Sequence, residues 1–175
     1  KRIVYVGGLN RERGYELIFD TMKLVRKKHP DATCMILGSV DTSGVDQRYL
    51  HRPEEWNNLG ILWGGFVKIE EVPACLLEAE IGWIPWQRTP NNDQGTPVKL
   101  FEYMAAALPV VASSLGFISK IMDKTRCGLL VVPENPQAHA DALSYLMEHR
   151  QAATAMGLRG RTAVLTDYNW DQEEK

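Results

Sequence analysis

The chain has 175 residues, of which 45% are hydrophobic and 24% charged, and its formal net charge is −2. This length and composition predict one globular domain that buries a substantial hydrophobic core and needs no disulfide or metal ion to stabilise it. With a net charge so close to zero, the protein has no extended positive electrostatic potential that would attract nucleic acid or anionic lipid. Any anion site must therefore be local.

The cysteines and histidines show no disulfide or metal-binding spacing. They are Cys34, Cys75, Cys127, His29, His51, His139 and His149. Widely spaced cysteines in apolar runs predict reduced thiols in the cytoplasm, and the histidines are expected on the surface. No apolar stretch approaches the roughly 20 residues that cross a bilayer, so we expect a soluble protein with no transmembrane segment. Peripheral association of the full-length protein with a membrane stays open.

Short β-rich runs alternate with amphipathic segments, which is typical of a parallel sheet with helices on both faces. Strands are predicted at 3–6, 33–37, 61–63, 81–85, 109–113 and 128–132. Helices are predicted at 15–28, 69–79, from 97 onward, 117–123, 136–149 and 151–168, with a short one near 45–50 in a polar segment over 39–58 and a loop over 87–95. The last helix is expected to be interrupted by Gly157 and Gly160, and the acidic end, 171–174, to fray. The fold class is therefore α/β, a Rossmann-like doubly wound sheet of about six strands in one domain over residues 1–175.

A polar loop, a helix and a buried strand follow one another directly between Gln94 and Ser113. Pro97 suits the first helical position because its missing N–H is not needed there. The amides that follow it point outward at the positive end of the helix dipole, where anions bind. Lys99 adds a full charge, and Glu102 can accept hydrogen bonds from the two hydroxyls of a ribose. One helix would then contact both phosphate and sugar.

The loop over residues 6–14 follows the first strand, at the carboxyl edge of the predicted sheet, where ligands bind in open parallel sheets. Gly7, Gly8 and Gly14 flank Arg13, whose guanidinium can donate two hydrogen bonds to a diphosphate. Arg13 and Lys99 together could balance a diphosphate without a metal. The spacing lacks the third glycine of a dinucleotide fingerprint, which disfavours NAD.

The segment PVKLFEYMA at residues 97–105 resembles the signature of the family 4 (group 1) glycosyltransferases, which are retaining enzymes of the GT-B architecture. In that family the C-terminal domain binds the nucleotide-sugar donor through two acidic residues eight positions apart. Glu102 matches the second acid, whereas Gln94 stands in the first position. Ala107 stands where the family usually has a helix-ending glycine, a departure expected to be structural.

Two further loops are similar to donor-site elements of the family. In family members, a Gly-rich turn is followed by a basic residue and then by a glycine, and these two residues match Arg13 and Gly14. Gly8 stands at a position where many family members have an arginine. The loop Gly64-Gly65-Phe66-Val67 resembles the one that contacts the nucleotide base. The resemblance implies donor binding by Gly7, Gly8, Gly14, Gly65, Gly95, Thr96, Pro97, Val98 and Glu102, and roles in the reaction for Arg13, Lys99 and Gln94.

The resemblance implies the C-terminal, donor-binding domain of an enzyme that moves a sugar from a nucleoside diphosphate sugar to an acceptor hydroxyl. Because the chain starts on a strand without an initiating Met, we expect an N-terminal acceptor domain to be missing and the isolated chain to be catalytically incomplete. The expected partners are the nucleotide-sugar donor and that domain, with no metal, cofactor or nucleic acid.

Two alternatives stay open. A GT-B sugar epimerase would need its own acid/base carboxylates on the same cleft wall. A non-catalytic module that binds a nucleotide sugar or a protein is favoured by Gln94 in place of an acid and Gly8 in place of arginine. The base, the transferred sugar, the acceptor and the oligomeric state also stay open.

Overall fold

The computed structural model describes residues 1–50 and 53–168, which form one six-stranded parallel sheet flanked by helices. The strands are β1 (Arg2–Val6), β2 (Thr33–Leu37), β3 (Ile61–Gly65), β4 (Ile81–Ile84), β5 (Val110–Ser113) and β6 (Gly128–Val131). The helices are α1 (Tyr15–Lys28), α2 (Pro53–Asn58), α3 (Val72–Leu77), α4 (Pro90–Gln94), α5 (Val98–Ala105), α6 (Gly116–Thr125), α7 (Pro136–Glu148) and α8 (Arg150–Thr166), with a 3-10 helix over Gln47–Tyr49.

Two apolar clusters lie on opposite faces of the sheet, because successive side chains of a strand point to opposite faces. In β1, Ile3 and Tyr5 pack with residues of α1 and α7. Val4 and Val6 belong to the second cluster, with residues of α5 and α6. The predicted α/β class, the six strands and the two helical layers are therefore confirmed.

The order of the strands, β3-β2-β1-β4-β5-β6, reverses between β1 and β4. The connection after β1 leads to β2, toward one edge of the sheet, whereas the connection after β4 leads to β5, toward the opposite edge. In open parallel sheets a crevice forms at such a point, outside the carboxyl ends of the strands. The segments that follow β1 and β4 therefore border one crevice.

Some helix boundaries differ from those predicted. The loop predicted over 87–95 contains α4, because Thr89 caps it: the Asn92 amide donates to Thr89 Oγ1 at 3.1 Å, and Pro90 lies in the first turn. The polar segment 39–58 contains α2 in addition to the short 3-10 helix. The helix predicted over 69–79 is shorter, and it begins at Val72, next to Pro73.

The last helix, α8, is continuous through Gly157 and Gly160, so the predicted interruption is wrong. Both glycines are buried against the end of α5. A Cβ on Gly157 would lie 1.9 Å from the Ala107 carbonyl oxygen, and one on Gly160 would lie 3.1 Å from Met104 Cγ. Glycine lowers helix propensity by about 1 kcal/mol relative to alanine, but here it permits the close approach of two backbones.

The prediction that the histidines lie on the surface is wrong for two of them. His139 is 0% exposed, and its Nδ1 accepts a hydrogen bond from Trp83 Nε1 at 3.0 Å. Burial lowers the pKa of His139 to about 4, so its ring is neutral at pH 7. His29 is also buried, whereas His149 is exposed. His51 and the acidic segment 171–174 lie outside the described residues.

The three cysteines are free thiols: Cys34 and Cys127 are buried, and Cys75 is partly buried. In the part of the chain that the structure describes, no three His, Cys, Asp or Glu side chains are grouped as they would be around a metal ion. No helix within residues 1–50 and 53–168 combines the length and apolar character that a membrane span requires.

The residue that follows the C-cap of α5 has a left-handed conformation. Ala107 has φ of 56°. The amides of Ala107 and Leu108 donate to the carbonyls of Met104 at 3.0 Å and Tyr103 at 2.9 Å, the hydrogen bonds of a Schellman motif. Glycine adopts this conformation without a Cβ penalty, whereas alanine is strained in it.

We expect Ala107→Gly to raise the free energy of unfolding by about 1 kcal/mol, because it relieves the left-handed strain. Ala105→Gly is the matched control, since Ala105 is exposed on helical backbone of the same turn. This second change should lower the free energy of unfolding by about 0.5–1 kcal/mol. Urea denaturation measures both, and destabilisation by both substitutions would contradict the assignment of strain to Ala107.

Candidate functional site

The first turn of α5 presents free amides to the crevice. Pro97 is the N-cap, with φ of −75° and ψ of 111°, and Val98 is the first helical residue, so the prediction that Pro97 occupies the first helical position is wrong. The N-cap residue makes no side-chain hydrogen bond to the helix. The amides of Val98 and Lys99 therefore lack the partner that a capping side chain would supply, at the positive end of the helix dipole.

Tyr103 ties α5 to the end of β1. Its side chain is fully buried, and its hydroxyl oxygen accepts a hydrogen bond from the Val6 amide at 2.9 Å. The ring crosses β4 at Gly82, where a Cβ would lie 2.4 Å from the ring. Because Lys99 lies one turn before Tyr103 on the same face of α5, this tie holds Lys99 over the loop that follows β1.

Lys99 is buried between two aromatic rings. Its side chain is 8% exposed, and Nζ lies 4.9 Å from the Tyr5 ring centroid and 4.8 Å from that of Trp86. Within residues 1–50 and 53–168, no ion pair of 4.0 Å or less joins a carboxylate to this ammonium. Lys99 is thus a buried cation without a paired anion.

The charges around Lys99 shift its titration. Burial, together with the neighbouring Arg13, lowers the pKa of Lys99 from 10.5 to about 7, and Glu102 opposes the shift. The pKa of Glu102 is raised by its own burial, and Lys99 opposes that shift. At neutral pH the ammonium is therefore partly deprotonated, and an anion bound beside it would favour the charged form.

Gly7 lies directly beneath the ammonium. Its φ is 110°, a conformation that favours glycine, and a Cβ at this position would lie 3.2 Å from Lys99 Nζ. The Gly7 amide donates to the Leu37 carbonyl at 2.7 Å, which ties the loop to β2. A side chain at residue 7 would therefore compete with the lysine for space.

Arg13 approaches the same place from the loop before α1. Its guanidinium carbon lies 5.9 Å from the Trp86 ring centroid, and Nη1 donates to the Gly8 carbonyl at 3.2 Å. The Arg13 amide donates to Asn10 Oδ1 at 2.9 Å. Arg13 is exposed, so it retains N–H groups that can contact a ligand.

These groups belong to one open cleft at the carboxyl edge of the sheet. Its lining consists of Val6, Gly7, Arg13, Phe66, Val67, Ile69, Val72, Trp86, Thr96, Pro97, Val98, Lys99 and Glu102. Seven residues predicted to act in the site are thus brought together: Gly7, Arg13, Thr96, Pro97, Val98, Lys99 and Glu102. Cations and free helix amides converge there with a single acid, an arrangement that can bind an anionic group.

The other predicted residues do not belong to this lining. Gly8 lies behind Arg13, and Gly14 packs against β4, where a Cβ would lie 2.1 Å from the Pro85 carbonyl oxygen. Gly65 ends β3 with φ of 70°, next to the lining residue Phe66. A Cβ on Gly95 would lie 2.8 Å from the Asn91 carbonyl oxygen, and Gln94 is exposed at the end of α4. Backbone conformation or close packing therefore explains why positions 14, 65 and 95 are glycine, without any contact to a ligand.

Several lining residues were not predicted. Trp86 lies two residues beyond the end of β4, and its position past the carboxyl end of a strand was a signal that could have found it. Phe66 and Ile69 are 84% and 73% exposed, although both are apolar. Together with Val67 and Val72 they make part of the cleft lining apolar. Phe66 and Val67 belong to the loop expected to contact the nucleotide base, whereas no sequence pattern indicated Ile69 or Val72.

The family model described as "Glycosyl transferases group 1" matches residues 1–149. The amylovoran biosynthesis glycosyltransferase AmsK of Erwinia amylovora is 33% identical over 169 residues, which are 96% of this chain and 41% of AmsK. The chain spans about two fifths of the length of the curated relatives it matches.

Two solved structures share the fold. The C-terminal domain of a glycosyl transferase group 1 family protein (LpcC) from Francisella tularensis superposes with a TM-score of 0.79, at 20% identity, over 97% of this chain and 86% of that one. Anabaena Alr3699/HepE in complex with UDP has a TM-score of 0.76, at 16% identity, over 95% of this chain and 44% of its own. The sheet therefore matches a domain of GT-B glycosyltransferases, and at these identities the likeness concerns the fold alone.

The depressed pKa of Lys99 predicts how stability depends on pH. Below pH 7 the lysine is charged in both folded and unfolded chains, whereas between about 7 and 10.5 only the unfolded chain keeps the proton. Unfolding then takes up a proton, so this group makes the free energy of unfolding rise with pH across that window. Lys99→Met should abolish that part of the rise, as measured by urea denaturation at pH 6, 8 and 9.5. Lys68→Met, at an exposed lysine, controls for the loss of a charge, and equal profiles for parent and Lys99→Met would refute the shift.

Proposed function

We propose that this chain, which belongs to the glycosyl transferases group 1 family, is the donor-binding domain of a retaining family 4 enzyme with the GT-B architecture. The reaction moves a sugar from a nucleoside diphosphate sugar to an acceptor hydroxyl. The observation that carries this proposal is the convergence of Arg13, Lys99 and the free amides of α5 on one cleft. An anion of two phosphates needs this combination of side-chain charge and helix dipole.

The domain organisation follows from the same proposal. Residues 1–175 are the C-terminal half of the enzyme, and an N-terminal domain supplies the acceptor site across the cleft. The proposal draws support from the chain's span of about two fifths of the length of its relatives. Free thiols at Cys34, Cys75 and Cys127 fit a cytoplasmic location.

The chemistry depends on charge that develops as the diphosphate leaves. Arg13 and Lys99 neutralise that charge, and the amides of Val98 and Lys99 donate hydrogen bonds to it. Preorganised donors of this kind stabilise the transition state more than the ground state. Glu102 accepts hydrogen bonds from the ribose hydroxyls, and Gln94 contacts the transferred sugar. We expect no metal requirement, because two side-chain cations balance the diphosphate.

Two alternatives differ from this proposal in what they require. A sugar epimerase needs acid/base carboxylates on the cleft wall, and Glu102 is the carboxylate among the described lining residues. A non-catalytic binding module agrees with Gln94 and Gly8 at positions where the family usually has charged residues. Hydrolysis of the donor by the full-length protein would separate an enzyme from a binding module.

We expect the isolated chain to bind a nucleoside diphosphate weakly and to transfer no sugar, because its reaction cleft is half of a two-domain site. Calorimetry with UDP, GDP and ADP tests the binding. Lys99→Ala and Arg13→Ala should each weaken it by about 1.5–3 kcal/mol, the range for charge-assisted hydrogen bonds, whereas Glu102→Ala should weaken binding of the nucleoside.

Arg11→Ala is the matched control for the two cation variants, since Arg11 lies in the same loop but pairs with Glu16 at 3.6 Å. It should bind nucleotides as the parent does. Absence of heat with all three nucleotides at millimolar concentration would refute the donor site. Parent-like binding by both cation variants would show that the phosphates lie elsewhere.

We expect Gln94→Glu to alter turnover or donor preference in the full-length enzyme and to leave affinity for the bare diphosphate unchanged. An amide can donate and accept hydrogen bonds but cannot neutralise a developing oxocarbenium-like centre, whereas a carboxylate can. Asn91→Asp adds the same charge to an exposed position of α4 and is the control. Steady-state kinetics with several donors measures both, and identical kinetics for Gln94→Glu and the parent would exclude Gln94 from the sugar site.

A further inference from the structure

We propose that Trp86 and Tyr5 are positioning residues, which hold the Lys99 ammonium ready for the donor diphosphate by taking the place of the carboxylate that a buried lysine ordinarily requires. This inference rests on the proposed function, and it assigns to the site two residues that do not themselves contact the reacting atoms. Trp86 is the member of the pair that can be tested separately from the fold of β1.

The geometry is that of a cation between two aromatic faces. Lys99 Nζ lies 4.8 Å from the Trp86 ring centroid and 4.9 Å from the Tyr5 ring centroid, inside the roughly 6 Å range of cation–π attraction. All three side chains are buried, at 8% exposure or less. In a site with so little water, attraction to an aromatic face is stronger than it is at a surface.

The charged and titratable groups that act on Lys99 are Glu102, Arg13 and the phenol of Tyr5. Glu102, on the same helix, favours the charged form of the lysine but makes no ion pair with it in the described structure. Arg13 repels the ammonium. Burial raises the pKa of the Tyr5 phenol far above neutrality, with Arg13 opposing, so this hydroxyl stays protonated. The rings are therefore the partners that stabilise the ammonium at close range.

An aromatic partner differs from a carboxylate in what it leaves for a ligand. A carboxylate would neutralise Lys99 and would repel the phosphates of a donor. A ring attracts the cation through its quadrupole and carries no net charge, so the positive potential still reaches the cleft. The two rings thus fix the position of the ammonium and leave its charge to be matched by the diphosphate.

The same rings organise the second cation. The Arg13 guanidinium carbon lies 5.9 Å from the Trp86 centroid, so one indole attracts two cations that repel each other. The Tyr5 hydroxyl donates to the Gly8 carbonyl at 2.9 Å, and Arg13 Nη1 donates to that same oxygen at 3.2 Å. Loss of Trp86 should therefore affect the anion site through Lys99 first and through Arg13 second.

A double-mutant cycle separates positioning from simple packing. The variants are Trp86→Leu and Trp86→Phe, each made in the parent and in Lys99→Met. Inorganic pyrophosphate, which has no base or sugar, is the probe for calorimetry, with UDP, GDP and ADP measured beside it.

In the parent background, Trp86→Leu should weaken pyrophosphate binding about 3- to 30-fold, the range from an exposed to a desolvated cation–π contact, and Trp86→Phe should retain most of the affinity. In the Lys99→Met background, Trp86→Leu should have a much smaller effect. The pH above which pyrophosphate affinity falls should also move downward in Trp86→Leu, because the charged form of Lys99 loses a partner, and should remain close to the parent value in Trp86→Phe.

Equal losses from Trp86→Leu in the two backgrounds would overturn the positioning role and make Trp86 a packing residue only. Parent-like affinity and pH profile in Trp86→Leu would do the same. If Trp86→Leu does not fold, as judged by its circular dichroism, the comparison of Trp86→Phe with the parent decides: a loss as large as that of Lys99→Met would refute the proposal. A parent chain that binds neither pyrophosphate nor any of the three nucleotides would overturn the proposed function and this inference with it.

Discussion

The hydrogen bond from the Val6 amide to the Tyr103 hydroxyl is the contact on which the geometry of the cleft depends. It joins the last residue of β1 to the middle of α5, across a gap that β4 leaves open because residue 82 is glycine. A buried amide at the end of a strand needs a partner, and here the partner comes from a helix instead of a neighbouring strand. Because the bond is buried and the ring is packed on β4, the first turn of α5 cannot move independently of the loop after β1.

The electrostatics of the cleft follow from that placement. This hydrogen bond places Lys99 over Gly7 and between two aromatic rings, where water is largely excluded and where no carboxylate among the described residues forms an ion pair with it. Such a group loses part of its protonation and would regain it beside a phosphate. A buried cation of this kind is unfavourable, and binding of an anion beside it would relieve that cost. This is a physical reason for the cleft to favour a strongly anionic ligand over a neutral sugar.

The alternation of short apolar runs with amphipathic segments was enough to predict the sheet, its six strands and the helices on both faces. Boundaries were less predictable, because tertiary contacts decide them. The glycines at 157 and 160 lower helix propensity when they are considered along the chain, yet α8 continues through them, since a larger residue would meet Ala107 and Met104. His139 shows the same effect, because its partner, Trp83, is 56 residues away in the chain.

For the site, the sequence by itself determined which segments would meet, because the carboxyl ends of parallel strands share one edge and a helix start there attracts anions. It therefore indicated Gly7, Arg13, Lys99 and Glu102 as site residues. Only the tertiary structure decided that Lys99 is buried between Tyr5 and Trp86, that it has no paired carboxylate in the described residues, and that Gln94 lies outside the lining. The reason is physical: the positions of strands and the starts of helices are encoded in local patterns, whereas burial and pairing of a charge depend on residues that are distant in the chain and meet only when the sheet has formed.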